Sequence, residues 1–479
     1  MRLVLCTLSA LFLCCPLVGA TGKKAPPNVL FITVDDLNND LGCYGHNLVK
    51  SPNIDKLAKQ GIRFDLAYCQ YPVCNPSRAS MMTSLYPTQT KVLNNGVFFR
   101  KHHPNIATLP QVLRKAGYFV ARIGKIYHYG VPLQIGTKGM DDDKSWDKVI
   151  NPRGIDREVH DKIHTLREGQ FGGTLSWLNI KSKDTDHTDG IAATEAIKLL
   201  KQHHPEKTGK PFFLAVGFYR PHTPYVAPSK YFDMYPLDKI HPLMEKKGDR
   251  DDIPVAALAD RPKQRELTVA QRKEIIQAYY ASITFMDAQV GRLLEALEEL
   301  GLDDNTIIVF VSDHGYHLGH HGLWQKGDLF EGSCRVPLII AEPGNPNNGK
   351  STNAVTEMLD LYPTVVDLCQ AKSPKHVKGV SLVPVLRDVK HKGKESALTV
   401  SWSRAGSQHK ELRGKKVLGY SIRTQRYRYT EWGDRKYGIE LYDYQTDPME
   451  YTNLANDPNH AETLRHMQSL MQSARKRSS

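Results

Sequence analysis

Two apolar runs that each end in acidic residues constrain this chain more than any other feature. Asn28 to Val34 (NVLFITV) leads straight into Asp35-Asp36. A continuous, β-branched run of this length, stopped by a polar loop, is what a central strand buried on both faces requires. Thr306 to Val311 (TIIVFV) repeats the arrangement and enters Ser312-Asp313-His314-Gly315. Ahead of it, Arg292 to Leu300 carries apolar residues at helical spacing, and Gly301 ends that segment. Pro211 to Gly217 (PFFLAVG) and Val336 to Ala341 (VPLIIA) supply two more buried strands. Helices thus alternate with parallel-type strands through the first three quarters, and the predicted fold class is α/β, doubly wound. Ligands of such sheets sit beyond the carboxyl ends of the strands, where Asp35, His222 and Asp313 fall.

Residues 131 to 190 and 238 to 265 are polar and lack sustained periodicity, so they are expected to be long loops that shape a pocket. Beyond about residue 375 the pattern turns to short alternating strands, as in Gly419 to Trp432 and Glu440 to Tyr444. This predicts a main domain over 25–375 and a smaller antiparallel C-terminal subdomain over 376–479. The first 20 residues combine one basic residue, an apolar run and small residues at Val18, Gly19 and Ala20, the pattern of a cleaved secretory signal. A lipid anchor on Cys14 or Cys15 is the second reading. No later stretch reaches the roughly 18 apolar residues of a membrane span, so the mature chain is expected to be exported, periplasmic or secreted, with no transmembrane segment. Asn-x-Ser/Thr acceptors are absent, because Asn75-Pro76-Ser77 is spoiled by its proline, which favours a bacterial source. Five cysteines remain after the signal, too few in 479 residues for a disulfide scaffold. A formal charge of +13 would attract polyanions. The basic residues are spread along the chain with no compact nucleic-acid-binding motif, so no nucleic-acid partner is expected.

Cys74-Asn75-Pro76-Ser77-Arg78 opens a segment with the markings of a helix start, Pro76 and Ser77 in its first turn and Ala79, Met81, Met82 and Leu85 behind. A helix start aims backbone N–H groups and the positive end of its dipole at any anion meeting Cys74, and Arg78 adds a fixed cation. An isolated cysteine would more simply be a buried thiol, or pair with Cys69. The pentapeptide, however, resembles the maturation motif of the formylglycine-dependent sulfatases, in which the cysteine is oxidised to an aldehyde that hydrates to a diol. The family commonly continues Leu-Thr-Gly where this chain has Met82-Thr83-Ser84.

The resemblance spans nearly the whole mature chain and is closest to the iduronate-2-sulfatase branch. It rests also on Leu41-Gly42-Cys43-Tyr44-Gly45 after the acidic pair, on Gly124-Lys125-Ile126-Tyr127-His128, on Arg220-Pro221-His222 and on Trp324-Gln325-Lys326. It implies an alkaline-phosphatase-like, doubly wound mixed sheet and a hydrolase of sulfate esters on a sulfated saccharide. It implies a calcium ion (Ca2+) ligated by Asp35, Asp36, Asp313 and His314 beside the modified Cys74, with His314 standing where many relatives carry Asn. Carboxylate oxygens suit such a hard cation. Arg78, Lys125, His222 and Lys326 would bind sulfate oxygens, His128 would act on the diol, and His222 or Lys326 would protonate the leaving group. A formylglycine-generating or sulfatase-maturing enzyme is the implied partner. The imidazoles at 314, 317, 320 and 321 lie at spacing suited to zinc, but the resemblance gives a ligand role to His314 alone, with His320 replacing the family's Glu. Two rival readings are a phosphate or phosphonate monoester hydrolase of the same superfamily and a non-catalytic binder of sulfated glycans.

Overall fold

The computed structural model describes residues 25–479 except residue 408. The expected signal, with Cys14 and Cys15, lies outside the described residues. The main sheet has eight strands, and its centre is built from the runs that the sequence marks as buried. Asn28–Val34 lies between Thr306–Ser312 and Phe212–Phe218, parallel to both, with Phe119–Gly124 parallel on the far side of Phe212–Phe218. All seven residues of Asn28–Val34 are buried. Its side chains alternate between two cores, Leu30, Ile32 and Val34 facing one layer of helices and Val29 and Phe31 the other.

Register is what builds the site. Val34 pairs with Ser312 on one side and with Phe218 on the other, and Gly124 pairs with Gly217. The chain therefore leaves Asn28–Val34, Thr306–Ser312 and Phe119–Gly124 at one edge of the sheet, which brings Asp35, Asp313 and Lys125 together.

Leu338–Ala341 differs from the parallel expectation, because it runs antiparallel to both Thr306–Ser312 and Ile62–Phe64. A strand buried on both faces looks the same in sequence whichever way it runs. The sheet is therefore mixed. The helix expected around 292–300 is the end of a longer one, Val269–Glu299, opened by a capping box between Thr268 and Gln271. The region 131–190 is not loop throughout. Ser176–Ile180 pairs with His164–Thr165 and with Tyr225–Pro228 in a small sheet, and the Thr188–Gln202 helix starts within it.

At the C-terminal end, Ala397–Trp402, Leu418–Arg423, Tyr427–Trp432 and Ile439–Asp443 form a four-stranded antiparallel sheet. Met467, Met471 and Ala474 of the Ala461–Arg477 helix pack on Ile422, Tyr429 and Leu441 of that sheet. No helix among the described residues is long and apolar enough to cross a membrane.

Candidate active site

Cys74 is the first residue of the Cys74–Thr83 helix, capped by Val73 in extended conformation with no side-chain cap. The positive end of the helix dipole thus lies at Cys74, but the N–H groups behind it are taken, because Asn75 donates to Asn95 Oδ1 at 3.1 Å, Pro76 has no N–H and Ser77 donates to the Val73 carbonyl. Every residue of this helix is buried. Cys74 is a free thiol, as are Cys43, Cys69, Cys334 and Cys369. Its Sγ lies 3.2 Å from Lys326 Nζ and 3.4 Å from His314 Nε2.

Three carboxylates surround it. Asp35 and Asp313 are both bound by Arg78, whose Nε donates to Asp313 Oδ2 at 2.8 Å and whose Nη2 donates to Asp35 Oδ1 at 3.2 Å. The other guanidinium nitrogen, Nη1, donates to the carbonyls of Lys125 and Ile126. Lys125 Nζ pairs with Asp35, and Lys326 Nζ pairs with Asp36. Asp36 holds a left-handed backbone, φ 65°, uncommon for a residue other than glycine. That geometry is fixed from three sides. Tyr279 donates its hydroxyl to the Asp36 carbonyl at 2.8 Å, the Asp36 N–H donates to Asp313 Oδ1, and the next N–H donates to Ser312 Oγ. Strain held in this way is commonly part of a site.

The two histidines present lone pairs to these carboxylates. His314 Nδ1 donates to the Gly315 carbonyl at 2.9 Å and His222 Nδ1 donates to the Thr223 carbonyl, which assigns the proton to Nδ1 in each ring. Nε2 of His314 then lies 3.4 Å from both Asp36 Oδ1 and Asp313 Oδ1. Nε2 of His222 lies 3.9 Å from Asp35 Oδ2 and Asp36 Oδ2. Burial lowers the pKa of both imidazoles and so keeps them neutral.

Burial raises the Asp36 carboxyl, and Lys326 offsets that only in part. Burial opposes the charge on Asp35 too, but there Lys125, His222, Arg78 and Lys326 outweigh it and hold the carboxyl well below its usual range. His128 is held well below its ordinary value by burial and by Lys125. The little exposure in the set belongs to His128, His222 and Lys326, at 7–9%, so these three mark the mouth of the site.

Asp35, Cys74, Asp313 and His314 offer donor atoms within 4.8 Å of one another, as do Asp35, Asp36, Cys74 and His222. Among the described residues, Asp36 Oδ2 is buried without a hydrogen-bond partner. An orphaned carboxylate oxygen among hard oxygen donors and two neutral imidazole nitrogens is a cradle that a divalent cation fits.

A sulfatase family model matches residues 27–371, and a model described as the C-terminal part of N-sulphoglucosamine sulphohydrolase matches 319–477. The chain belongs to the sulfatase family. It is 31% identical to iduronate 2-sulfatase of Mus musculus, over 92% of this chain and 93% of that one. With a sulfatase of Formosa agariphila it shares 34%, over 90% and 83%. Among solved structures it is similar to a phosphonate monoester hydrolase of Agrobacterium radiobacter, with a TM-score of 0.77, 24% identity and coverage of 95% and 96%, a likeness of fold. These relatives make the chain a sulfuric ester hydrolase.

Sequence reading missed the residues behind this sulfatase's mouth. Asp189 accepts the N–H groups of Tyr219 and Arg220 at 2.8 and 2.9 Å, while Arg220 pairs with Asp156 and donates to the His222 carbonyl. Asp156 lies in a stretch without periodicity, so nothing local marks it. Arg261, in the segment expected to be loop, donates to the Lys326 carbonyl at 2.9 Å. Tyr279 is one aromatic among several on a buried helix.

Proposed function

We propose that this sulfatase hydrolyses sulfate esters on a carbohydrate of the iduronate 2-sulfatase kind, with Cys74 oxidised to formylglycine and with calcium held by Asp35, Asp36, Asp313 and His314. The placement of Cys74 carries the reading, because its Sγ stands at a helix N-terminus, between Lys326 and His314 and among three carboxylates. When present, the formylglycine hydrate supplies the nucleophilic oxygen and the calcium ion supplies Lewis-acid stabilisation of sulfate oxygens. The protein's own groups do the rest. Asp35, Asp36 and Asp313 are balanced by Arg78, Lys125 and Lys326, so the pocket is close to neutral. A dication and a sulfate ester therefore complement each other on entering it.

Lys125 and Lys326 place positive, proton-donating atoms where charge on the sulfate grows. Lys326 is the group that carries a proton for the departing alcohol, since neutral His222 presents a bare Nε2 and would first have to take one up, and neutral His128 is a base for the nucleophile's hydroxyl. We assign the maturation to a formylglycine-generating or sulfatase-maturing enzyme, the location to a bacterial periplasm or exterior, and the division into units to 25–375 and 376–479.

The test starts from protein coexpressed with a maturing enzyme. Mass spectrometry of the Cys74 peptide is expected to show the aldehyde, and an aryl sulfate is expected to turn over faster than the matching aryl phosphonate. The reverse preference would establish the phosphonate hydrolase that the fold likeness allows, and an unmodified thiol with no turnover would establish a glycan binder. A panel of defined sulfated saccharides then identifies the sugar. Chelation is expected to lower activity and calcium to restore it better than zinc, since the proposed donors are mostly carboxylate oxygens. Full activity in stripped protein would remove calcium from the scheme.

A further inference from the structure

A second group of metal-competent side chains lies outside the active site, where the loop after strand His317–Leu318 meets the segment that follows the C-terminal sheet. His320, His321 and Glu450 each offer a donor atom within 4.8 Å of the other two. His321 is 1% exposed and Glu450 is fully buried. We propose that these three residues form a second metal site, for a zinc-class cation, that ties the loop carrying Lys326 to the C-terminal segment.

The proton positions support this. Nε2 of His320 donates to the Met449 carbonyl, which leaves the lone pair on Nδ1. Nδ1 of His321 lies 3.0 Å from both oxygens of Asp249, which leaves the lone pair on Nε2. Among the described residues that Nε2 is buried without a partner. Metal-binding histidines characteristically donate their outer N–H to a carboxylate or a backbone carbonyl, and both rings here already do so.

Glu450 Oε1 accepts from the Tyr444 hydroxyl at 2.6 Å and faces Arg428 Nε at 3.0 Å, while Oε2 accepts only the Glu331 N–H at 2.9 Å, so the carboxylate is oriented and Oε2 is the oxygen that keeps a lone pair for a metal. Its backbone is left-handed, φ 58°, a conformation held at a conformational cost. Two imidazoles and a carboxylate are a familiar zinc donor set, with water in the fourth place. Tetrahedral zinc sets neighbouring donors about 3.3 Å apart, so from separations within 4.8 Å the three would draw in on binding. His317 is not part of the set, because its Nδ1 faces the Gly332 backbone and its Nε2 is taken by Asp328. Asp249 supplies one balancing charge, and Glu450 shares its own with Arg428, whose Nε lies 3.0 Å from Oε1. Lys326 follows His321 by five residues through the short hairpin His317–Leu318 and Trp324–Gln325, so the metal would steady the strand that delivers it.

The experiment is cobalt and zinc titration of the full chain, stripped of metal and then saturated with calcium so that the active-site carboxylates are occupied. The wild type is expected to take up one equivalent of zinc that calcium does not displace, and cobalt is expected to bind without a thiolate charge-transfer band. His321→Gln should lose this binding, Asp249→Asn should weaken it about 10- to 100-fold, and Cys74→Ala should keep it. No uptake by the wild type overturns the proposal. So does uptake that Cys74→Ala abolishes and His321→Gln retains, which would place the metal at the active site. If circular dichroism shows that His321→Gln does not fold, Asp249→Asn decides, and an unchanged affinity there overturns the proposal.

Discussion

Arg78 and Lys326 are both cations of the site, but they stand in different energetic positions. Arg78 has no exposed surface and satisfies two carboxylates and two backbone carbonyls. Removing one partner of a buried ion pair costs about 3–5 kcal/mol, because the other charge is left stranded. Arg78→Ala is therefore expected to lose turnover and also to melt well below the wild type. Calcium should raise its melting temperature by more than it raises that of the wild type, since a dication replaces the missing counter-charge. Equal shifts in a calorimetric titration would show that the carboxylates do not depend on Arg78. Lys326 sits at the mouth and pairs with Asp36, whose carboxyl burial has already raised. Asp36 can take up a proton when the lysine goes. Lys326→Met is thus expected to cost little stability and about 100- to 1000-fold in turnover, with matched thermal melts and steady-state rates as the check.

Elements decide how closely these side chains approach, and two glycines show the range of effects. A Cβ on Gly217 would lie 2.2 Å from the Lys125 carbonyl oxygen and 2.7 Å from its nitrogen, in a strand hydrogen-bonded on both sides. The backbone cannot give way there without moving the carbonyl that binds Arg78. Gly217→Ala is expected to lose about 1–3 kcal/mol together with most of the activity, measured by urea unfolding and by kcat. Gly301 has φ +63° and open space around its Cβ position. Gly301→Ala should therefore lose only about 1 kcal/mol, through left-handed strain, at unchanged kcat. The Gly301 stop, the two apolar runs and their acidic ends were all legible in the sequence, because burial on both faces writes itself as an unbroken apolar run. Strand direction was not, as Leu338–Ala341 shows. The Arg220–Asp156 pair was not either, since its partners lie 64 residues apart and meet only through the fold. Asp35, Asp36, Cys74, Arg78, Lys125, His222, Asp313, His314 and Lys326 meet at one sheet edge. Their grouping was readable from motif resemblance, whereas the bonding of Arg78 to Asp35 and Asp313 needed the register of Asn28–Val34 against Thr306–Ser312.

On the scale of the whole molecule, the C-terminal sheet is joined to the catalytic half through a partly buried charge centre at Glu331. Arg428 and Arg423 reach it from the sheet, and Arg335 comes from its own side. Burial by itself would raise the Glu331 carboxyl, but the three arginines outweigh it and bring the pKa from 4.5 to about 2. A depressed carboxyl contributes stability that is fully present above the unfolded value, near 4.5, and is lost as pH falls through the folded value. The shift is worth about 3 kcal/mol at neutral pH. Glu331→Gln removes the charge at every pH and leaves Glu450 as the carboxylate beside Arg428, so it is expected to be less stable than the wild type by up to about that amount at pH 7. The gap should hold at pH 5 and narrow steadily between about pH 4.5 and pH 2, as the wild-type carboxylate takes up its proton. Following the difference between the two proteins by urea unfolding at stepped pH cancels acid effects common to both. A gap of constant size down to pH 3 would mean that Glu331 acts through its shape and its hydrogen bond with Arg428, and the two halves of the molecule would then be held by packing rather than by charge.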